Sequence, residues 1–156
     1  MAPKAQPLEA GTAAPDFKVK THDGQDVSLK ALQGQKVVLY FYPKDDTPGC
    51  VKQACNLRDN LTELADKGIT VIGVSPDDHS SHEKFTNKYE LTFPLIADSD
   101  RSIIDAYGVW GERMLYGKPV IGLTRTTFLI DEHGIIQHVF KRPKTDDHTN
   151  EILSKI

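Results

Sequence analysis

Apolar and polar residues follow one another along this chain in patterns that predict an α/β protein. Residues 36–42 and 69–75 are apolar over most of their length, which is typical of strands buried on both faces of a sheet. Residues 93–98 predict a shorter strand. Residues 16–29 and 126–140 alternate on either side of an Asp-Gly or a His-Gly pair, and these turn signals predict two hairpins.

Helical periodicity fills most of the segments between the strands. It predicts helices from residue 48 to about 66, over 79–89, over a short segment ending at Gly108, and over 147–156. Residues 107–125 contain four glycines and are predicted to form a long loop. A strand–helix–strand–helix order, followed by a hairpin and a helix, predicts an α/β sandwich.

Length and charge narrow the choice of protein class. The 156 residues predict one domain over 1–156, in which the Ala- and Pro-rich residues 1–14 form a loosely ordered lead-in. A net charge of −3 without a basic run predicts no nucleic-acid partner. The longest apolar run has six residues, so no membrane association is expected. No secretory signal is expected at the start either, and a cytoplasmic, reducing location is predicted.

The two cysteines of the chain, Cys50 and Cys55, lie at the start of the first predicted helix. Thr47 suits the N-cap and Pro48 the first helical position, which puts Cys50 in the first turn. Unpaired N–H groups and the helix dipole favour an anion there, and they can lower a cysteine pKa from about 8.5 to roughly 3.5–7.5. Cys50 is therefore a candidate nucleophile, and the alternative is a small buried apolar residue.

Helix geometry predicts that the two thiols are separated. At about 100° per residue, Cys50 heads an apolar stripe with Ala54, Leu57 and Leu61, whereas Cys55 lies about 140° away. The two Cα atoms would be roughly 8.6 Å apart, beyond the 4.4–6.8 Å or so that a disulfide requires. A disulfide between them would therefore require the start of the helix to unwind.

A zinc site is the main alternative for the cysteines. The Cys-x4-Cys spacing is close to that of zinc ligands, and His79 and His82 could add two more. Because the cysteines face opposite sides and both histidines lie in a polar segment, a solvated helix surface is favoured for the histidines.

Two further features allow more than one interpretation. Asp45 and Asp46 could act as paired carboxylates, but a polar loop favours solvation for both. Trp110 could line a pocket or pack its loop, and the sequence does not separate these possibilities.

The stretch "YFYPKDDTPGCVKQACNLRDN" closely resembles the active-site segment of peroxiredoxins, and the Cys-x4-Cys spacing resembles that of the peroxiredoxin Q or bacterioferritin comigratory protein branch. The similarity extends to "PDFKVKTHDGQDVSL", "YGVWGERMLYGK" and "TRTTFLIDEHGIIQHVF". It implies a thioredoxin-like fold, in which helices flank a central mixed β-sheet and a hairpin lies near the N-terminus.

The resemblance also implies roles for individual residues. Cys50 would be the peroxidatic cysteine, which becomes a sulfenic acid, and Cys55 the resolving cysteine, which condenses with it. Thr47 would hydrogen-bond the thiolate and the peroxide, and Pro43 would shield the pocket from water. Arg125 would stabilise the thiolate and polarise the peroxide.

The implied function is reduction of hydrogen peroxide and organic hydroperoxides by a monomeric thiol peroxidase. Thioredoxin or a related dithiol protein such as glutaredoxin would reduce the Cys50–Cys55 disulfide. No metal, flavin or haem is implied, because sulfur carries the electrons. A thiol–disulfide oxidoreductase and a non-enzymatic redox sensor on the same fold are the alternatives.

Overall fold

The computed structural model of the chain describes residues 4–156. The strands are β1 (Lys18–Lys20), β2 (Asp26–Ser28), β3 (Lys36–Phe41), β4 (Ile69–Ser75), β5 (Leu95–Ala97), β6 (Trp110–Leu115), β7 (Lys118–Leu123), β8 (Thr126–Ile130) and β9 (Ile136–Phe140). The α-helices are α1 (Pro48–Asp59), α2 (Leu61–Asp66), α3 (His79–Tyr89), α4 (Ser102–Ala106) and α5 (His148–Leu153). Among the residues described, no helix is both long and apolar enough to cross a bilayer.

Five strands form the central sheet in the order β5-β4-β3-β8-β9. β3 pairs parallel to β4 and antiparallel to β8, so the sheet is mixed. β1 and β2 form the predicted N-terminal hairpin as a separate two-stranded sheet. The predicted central mixed sheet with an N-terminal hairpin is confirmed.

β3 is buried on both faces, as its sequence predicts. Val37, Leu39 and Phe41 pack into one apolar core, whereas Val38 and Tyr40 pack into a second core on the other face. Alternate residues of a strand point to opposite faces, so a strand between two layers needs apolar residues at every position. The second core contains residues of α1 and therefore supports the cysteine-bearing helix.

Within the described residues, the N-terminal lead-in is bonded to the rest of the domain. The Leu8 backbone N–H donates to the Tyr107 carbonyl at 3.2 Å, and the Ala14 N–H donates to the Gly134 carbonyl at 2.9 Å. Leu8 and Ala14 also pack against the first core. Residues 1–3 of the predicted lead-in lie outside the described residues.

The single helix predicted from residue 48 to about 66 is two helices, α1 and α2. The break lies at Asn60, which has φ −114° and whose side chain donates to the Asn56 carbonyl at 2.8 Å. An asparagine side chain competes in this way with the backbone for helical hydrogen bonds. Beyond the break, Leu64 is fully buried, whereas Leu61, the first residue of α2, is half-buried against the second core.

The long loop predicted over residues 107–125 is wrong, because β6 and β7 form an antiparallel hairpin there. Gly111 pairs with Gly122 and Met114 with Pro119, and these residues hide the alternation expected of strands. The turn at Tyr116 and Gly117 has φ of 51° and 77°, which suits a tight hairpin turn between two twisted strands.

His148 ties α5 to the central sheet. Its side chain is fully buried, with Nε2 at 2.9 Å from Thr127 Oγ1 and Nδ1 at 3.0 Å from Glu151 Oε1. Burial lowers the pKa of His148 below its ordinary value, and the bond to Glu151 offsets only part of this effect. The folded protein therefore holds this imidazole in its neutral form.

We predict that His148 makes the protein less stable in mild acid. Below about pH 6.5 the unfolded chain binds a proton at this histidine before the folded protein does, so the free energy of unfolding falls as the pH falls. Urea unfolding at pH 7.0 and pH 5.5 should therefore show a smaller loss for His148→Gln than for the wild type. Equal losses in the two proteins would contradict this source of pH dependence.

Candidate active site

Cys50 lies in the first turn of α1, directly after the loop that leaves β3. Its side chain belongs to the second core and only 1% of the residue is exposed. Ala54 and Leu57 are buried on the same stripe, as the helical period predicts. The backbone N–H groups of a first turn have no partner within the helix, so Cys50 lies among free donors at the positive end of the helix.

Arg125 brings a permanent positive charge to this thiol. It lies between β7 and β8, and its Nη2 donates to Cys50 Sγ at 3.3 Å although 75 positions separate the two residues. β8 pairs with β3 and so holds Arg125 beside the loop that follows β3. A guanidinium at this distance stabilises negative charge on sulfur.

Gln53 fixes the other side of the guanidinium. Its Oε1 accepts from Arg125 Nη1 at 2.6 Å, and Gln53 is fully buried. Because Gln53 is neutral, it orients Arg125 without cancelling its charge. Gln53 is not among the residues predicted from the sequence, although its position three residues after Cys50 puts it on the same helical face, which was the available signal.

Gly49 makes room for this arrangement. A Cβ atom at residue 49 would lie 3.1 Å from Arg125 Nη2 and would crowd the guanidinium. A glycine just before Cys50 thus permits the close approach of the arginine.

Thr47 occupies the N-cap position but does not cap the helix with its side chain. Its hydroxyl donates instead to the Lys44 carbonyl at 2.9 Å, within the loop that precedes α1, so its proton is not directed to the Cys50 sulfur as the resemblance implied. Pro43 lies in this loop, two residues after the end of β3, and is half-buried. Of the predicted site residues, the structure thus brings Arg125 to the Cys50 sulfur, while Thr47 and Pro43 lie in the loop that leads to α1.

Cys55 lies one and a half turns further along α1 and is half-buried, and both thiols are free. Because α1 is continuous from Pro48 to Asp59, helix geometry keeps the Cα atoms of the two cysteines roughly 8.6 Å apart. The thiols cannot form a disulfide in this conformation.

Two polar residues predicted to be solvated are buried instead. His82 is fully buried, with Nδ1 at 2.7 Å from Asp45 Oδ2 and Nε2 at 3.0 Å from the Ile96 carbonyl. Only 8% of Asp45 is exposed, whereas its neighbour Asp46 is exposed as expected. The sequence carried a signal for His82, since it shares a helical face with Phe85, which is also buried.

These contacts bear directly on the zinc hypothesis. Both ring nitrogens of His82 already face protein oxygens, and His79 is exposed. Asp45, Asp77 and His82 offer ligand atoms within 4.8 Å of one another, but this cluster includes neither cysteine. The structure thus does not assemble the predicted set of two cysteines and two histidines.

Trp110 packs against the first core from β6, and Arg101 lies over its ring at 4.3 Å from the centroid. Of the two interpretations of this residue, the structure supports packing.

Three comparisons with known proteins agree with one another. The sequence profile of the AhpC/TSA family matches residues 10–139. Peroxiredoxin Bcp of Escherichia coli strain K12 is 45% identical over 148 residues, which cover 95% of this chain and 95% of that protein.

The solved structures that resemble this chain come from the same group of proteins. Peroxiredoxin Q of Xanthomonas campestris is 35% identical with a TM-score of 0.84, over 94% of this chain and 93% of that one. The bacterioferritin comigratory protein of Xanthomonas campestris, whose structure is described in connection with its alkyl peroxide reduction activity, is 34% identical to this chain. Its TM-score is 0.84, over 94% of each chain. The predicted thioredoxin-like fold is confirmed.

We predict that the neutral charge of Gln53 keeps Arg125 available to the thiol. In Gln53→Glu, a carboxylate would pair with the guanidinium and compete with sulfur for its charge, which should slow alkylation of Cys50 by iodoacetamide about fivefold at neutral pH. The rate is best measured in a Cys55→Ser background, so that Cys50 is the one thiol that reacts with iodoacetamide. Gln53→Met, which removes the hydrogen bond without adding charge, is the matched control, and a loss in Gln53→Glu no larger than in Gln53→Met would contradict the charge argument.

Proposed function

The chain belongs to the AhpC/TSA family and, within it, to the peroxiredoxin Q or Bcp branch, and we propose that Cys50 carries its peroxidase chemistry. The observation that supports this most strongly is the 3.3 Å contact between Arg125 Nη2 and Cys50 Sγ. A thiolate is the reactive form of cysteine, and the guanidinium and the first turn of α1 both favour it.

In the first step, the Cys50 thiolate attacks one oxygen of the hydroperoxide. An S–O bond forms as the O–O bond breaks, the sulfur is oxidised to a sulfenic acid, and the departing oxygen leaves as water or an alcohol once it takes a proton. Arg125 and the free N–H groups of the first turn are positioned to stabilise the negative charge that develops on the leaving oxygen. The Xanthomonas campestris relative with alkyl peroxide reduction activity supports organic hydroperoxides as substrates beside hydrogen peroxide.

Thr47 and Pro43 prepare the pocket for this step. Because the Thr47 hydroxyl donates its proton to the Lys44 carbonyl, its oxygen is left to accept a hydrogen bond from the peroxide O–H. Pro43 lacks a backbone N–H and lies half-buried between β3 and Thr47, where its ring limits the access of water to the sulfur.

In the second step, the Cys55 thiol attacks the sulfenic sulfur of Cys50 and water leaves as the disulfide forms. This step requires the first turns of α1 to unwind, because the intact helix holds the thiols apart. Asn56, the next residue after Cys55, is tied to the start of α5, since the Thr149 N–H donates to Asn56 Oδ1 at 2.8 Å and Asn56 Nδ2 donates to the Asp146 carbonyl at 3.2 Å. Because these hydrogen bonds hold α1 at Asn56, they limit the unwinding to the residues before it.

A dithiol protein of the thioredoxin type then reduces the disulfide by thiol exchange, and either thioredoxin or glutaredoxin has the required chemistry. We place the enzyme in the cytoplasm, where such reductants operate, and expect the whole chain to act as one domain and as a monomer.

We predict that Cys50→Ser abolishes peroxide reduction, because an alcohol at this position cannot be oxidised by two electrons in the same way. Consumption of hydrogen peroxide in the presence of thioredoxin, thioredoxin reductase and NADPH measures it. Cys55→Ser is the control for the loss of a thiol in a single-turnover assay without thioredoxin, where it should consume about one equivalent of peroxide while Cys50→Ser consumes none. Retained turnover in Cys50→Ser would refute the assignment of the peroxidatic cysteine.

For Cys55→Ser we predict one round of oxidation that stops at the sulfenic acid of Cys50. Mass spectrometry should detect a gain of one oxygen, and far-UV circular dichroism should keep the helical signal that the wild type loses in part on oxidation. Normal thioredoxin-linked turnover by this variant, or an unchanged spectrum of the oxidised wild type, would argue against disulfide formation through unwinding.

A further inference from the structure

A buried polar cluster lies behind the loop that precedes Cys50, at the ends of β3 and β4 and the start of α3. Asp45 Oδ1 accepts from the Tyr42 hydroxyl at 2.6 Å, and Asp45 Oδ2 accepts from Ser81 Oγ at 2.8 Å and faces His82 Nδ1 at 2.7 Å. Burial raises the pKa of Tyr42 well above its ordinary value, so this phenol remains a donor. Every oxygen of the Asp45 carboxylate is therefore partnered.

His82 completes the cluster on the side of the sheet. Its Nε2 faces the Ile96 carbonyl, which can only accept, so Nε2 carries a hydrogen. Nδ1 faces Asp45 Oδ2 at 2.7 Å, so both ring nitrogens of His82 are engaged by oxygen atoms of the protein. The Asp45–His82 pair thus joins the active-site loop to α3 and β5 within the core.

The backbone of Asp45 is held as firmly as its side chain. Its N–H donates to Asp77 Oδ2 at 2.8 Å, and the same oxygen accepts from Ser75 Oγ at 2.8 Å. Ser75 is fully buried at the end of β4, so the position of Asp77 is fixed by the central sheet.

The peptide unit between Lys44 and Asp45 carries this constraint to the active site. In a trans peptide the N–H and C=O groups lie in one plane and point in opposite directions. Asp77 Oδ2 accepts a hydrogen bond from the N–H of this peptide unit on one side, and the Thr47 hydroxyl donates to its carbonyl on the other. An acceptor two residues beyond the end of β4 therefore determines where the Thr47 hydroxyl proton points.

We propose that Asp77, together with the Asp45–His82 pair, positions the Lys44–Asp45 peptide so that the Thr47 oxygen is free to accept a hydrogen bond from the peroxide. This inference rests on the proposed function of Thr47 and Cys50. Asp77 is a positioning residue in this account, because it touches neither sulfur nor substrate. Its contribution is to prevent the peptide from rotating, which would release Thr47 to other partners.

The test compares Asp77→Ala with Asp77→Asn. Asp77→Ala should lower the second-order rate constant for oxidation of Cys50 by hydrogen peroxide about tenfold, since small errors of alignment in an active site have effects of this size or larger. Asp77→Asn should restore most of the rate, because an amide oxygen can accept from both donors. Lys88→Ala is the matched control, since Lys88 pairs with Asp46 in the same loop but on its exposed side, at 2.8 Å. It should leave the rate unchanged.

Two readouts distinguish positioning from general damage to the fold. Alkylation of Cys50 by iodoacetamide, which needs the thiolate but not a hydrogen bond from a peroxide to Thr47, should proceed at the wild-type rate in Asp77→Ala. In a Thr47→Val background, Asp77→Ala should cause no further loss of peroxide reactivity, because residues that act through one another are not additive. If Asp77→Ala does not fold, Ser75→Ala, which removes one of the two donors to Asp77, should show the same pattern with a smaller loss.

An equal tenfold loss in the Thr47→Val background, or a parallel loss of alkylation, would overturn the inference, as would a failure of Asp77→Asn to recover. Failure of the proposed function is separate, since it would appear as peroxide turnover by Cys50→Ser whatever the Asp77 variants do.

Discussion

The contact between the Arg125 guanidinium and the Cys50 sulfur is the interaction on which the rest of the site depends. A buried thiolate is unfavourable without a compensating charge, and Arg125 supplies that charge at 3.3 Å. The contact exists because β8 lies beside β3 in the central sheet, so that the residue before β8 meets the loop after β3. Gly49 leaves space for the guanidinium and Gln53 orients it.

The helix that carries both cysteines serves two states of the enzyme. In the folded state, α1 places Cys50 in its first turn and keeps Cys55 on another side, which suits the proposed order in which Cys50 meets peroxide before it meets Cys55. In the proposed mechanism, the same start of α1 opens so that the disulfide can form. The Asp45–His82 cluster before it and the Asn56 bonds to α5 after it are well placed to confine that opening to one short stretch.

The loop from Pro43 to Thr47 is held by a buried network of hydrogen bonds that does not include the Cys50 sulfur. Asp45 is surrounded by donors from its own loop and from α3, and its N–H is held by Asp77. Asp46, one residue later, has φ 58° and bonds to Lys88 and Tyr89 near the surface. The buried carboxylate of Asp45 thus holds the loop from its inner side, whereas the bonds of Asp46 lie on the exposed side, where ion pairs contribute little.

By itself the sequence determined the order of most strands and helices, the burial of β3 on both faces and the separation of the two thiols around α1. These properties depend on periods of two or 3.6 residues, which are local and can be read directly from spacing. Spacing also placed Cys50 on the buried stripe of its helix. It failed where the glycines and Pro119 obscured the alternation of β6 and β7, and where Asn60 interrupted a continuous helical pattern.

Only the tertiary structure decided which groups face one another across the site. The sequence placed Arg125 near Cys50 solely through a family resemblance, because the contact is created by the pairing of β3 with β8. The burial of Asp45 and His82 was likewise decided by the packing of α3 against the loop after β3, since a helical period gives a residue's angle on its own helix but not what lies opposite. Contacts between distant residues depend on strand register and layer packing, and neither is a property of any local stretch of the chain.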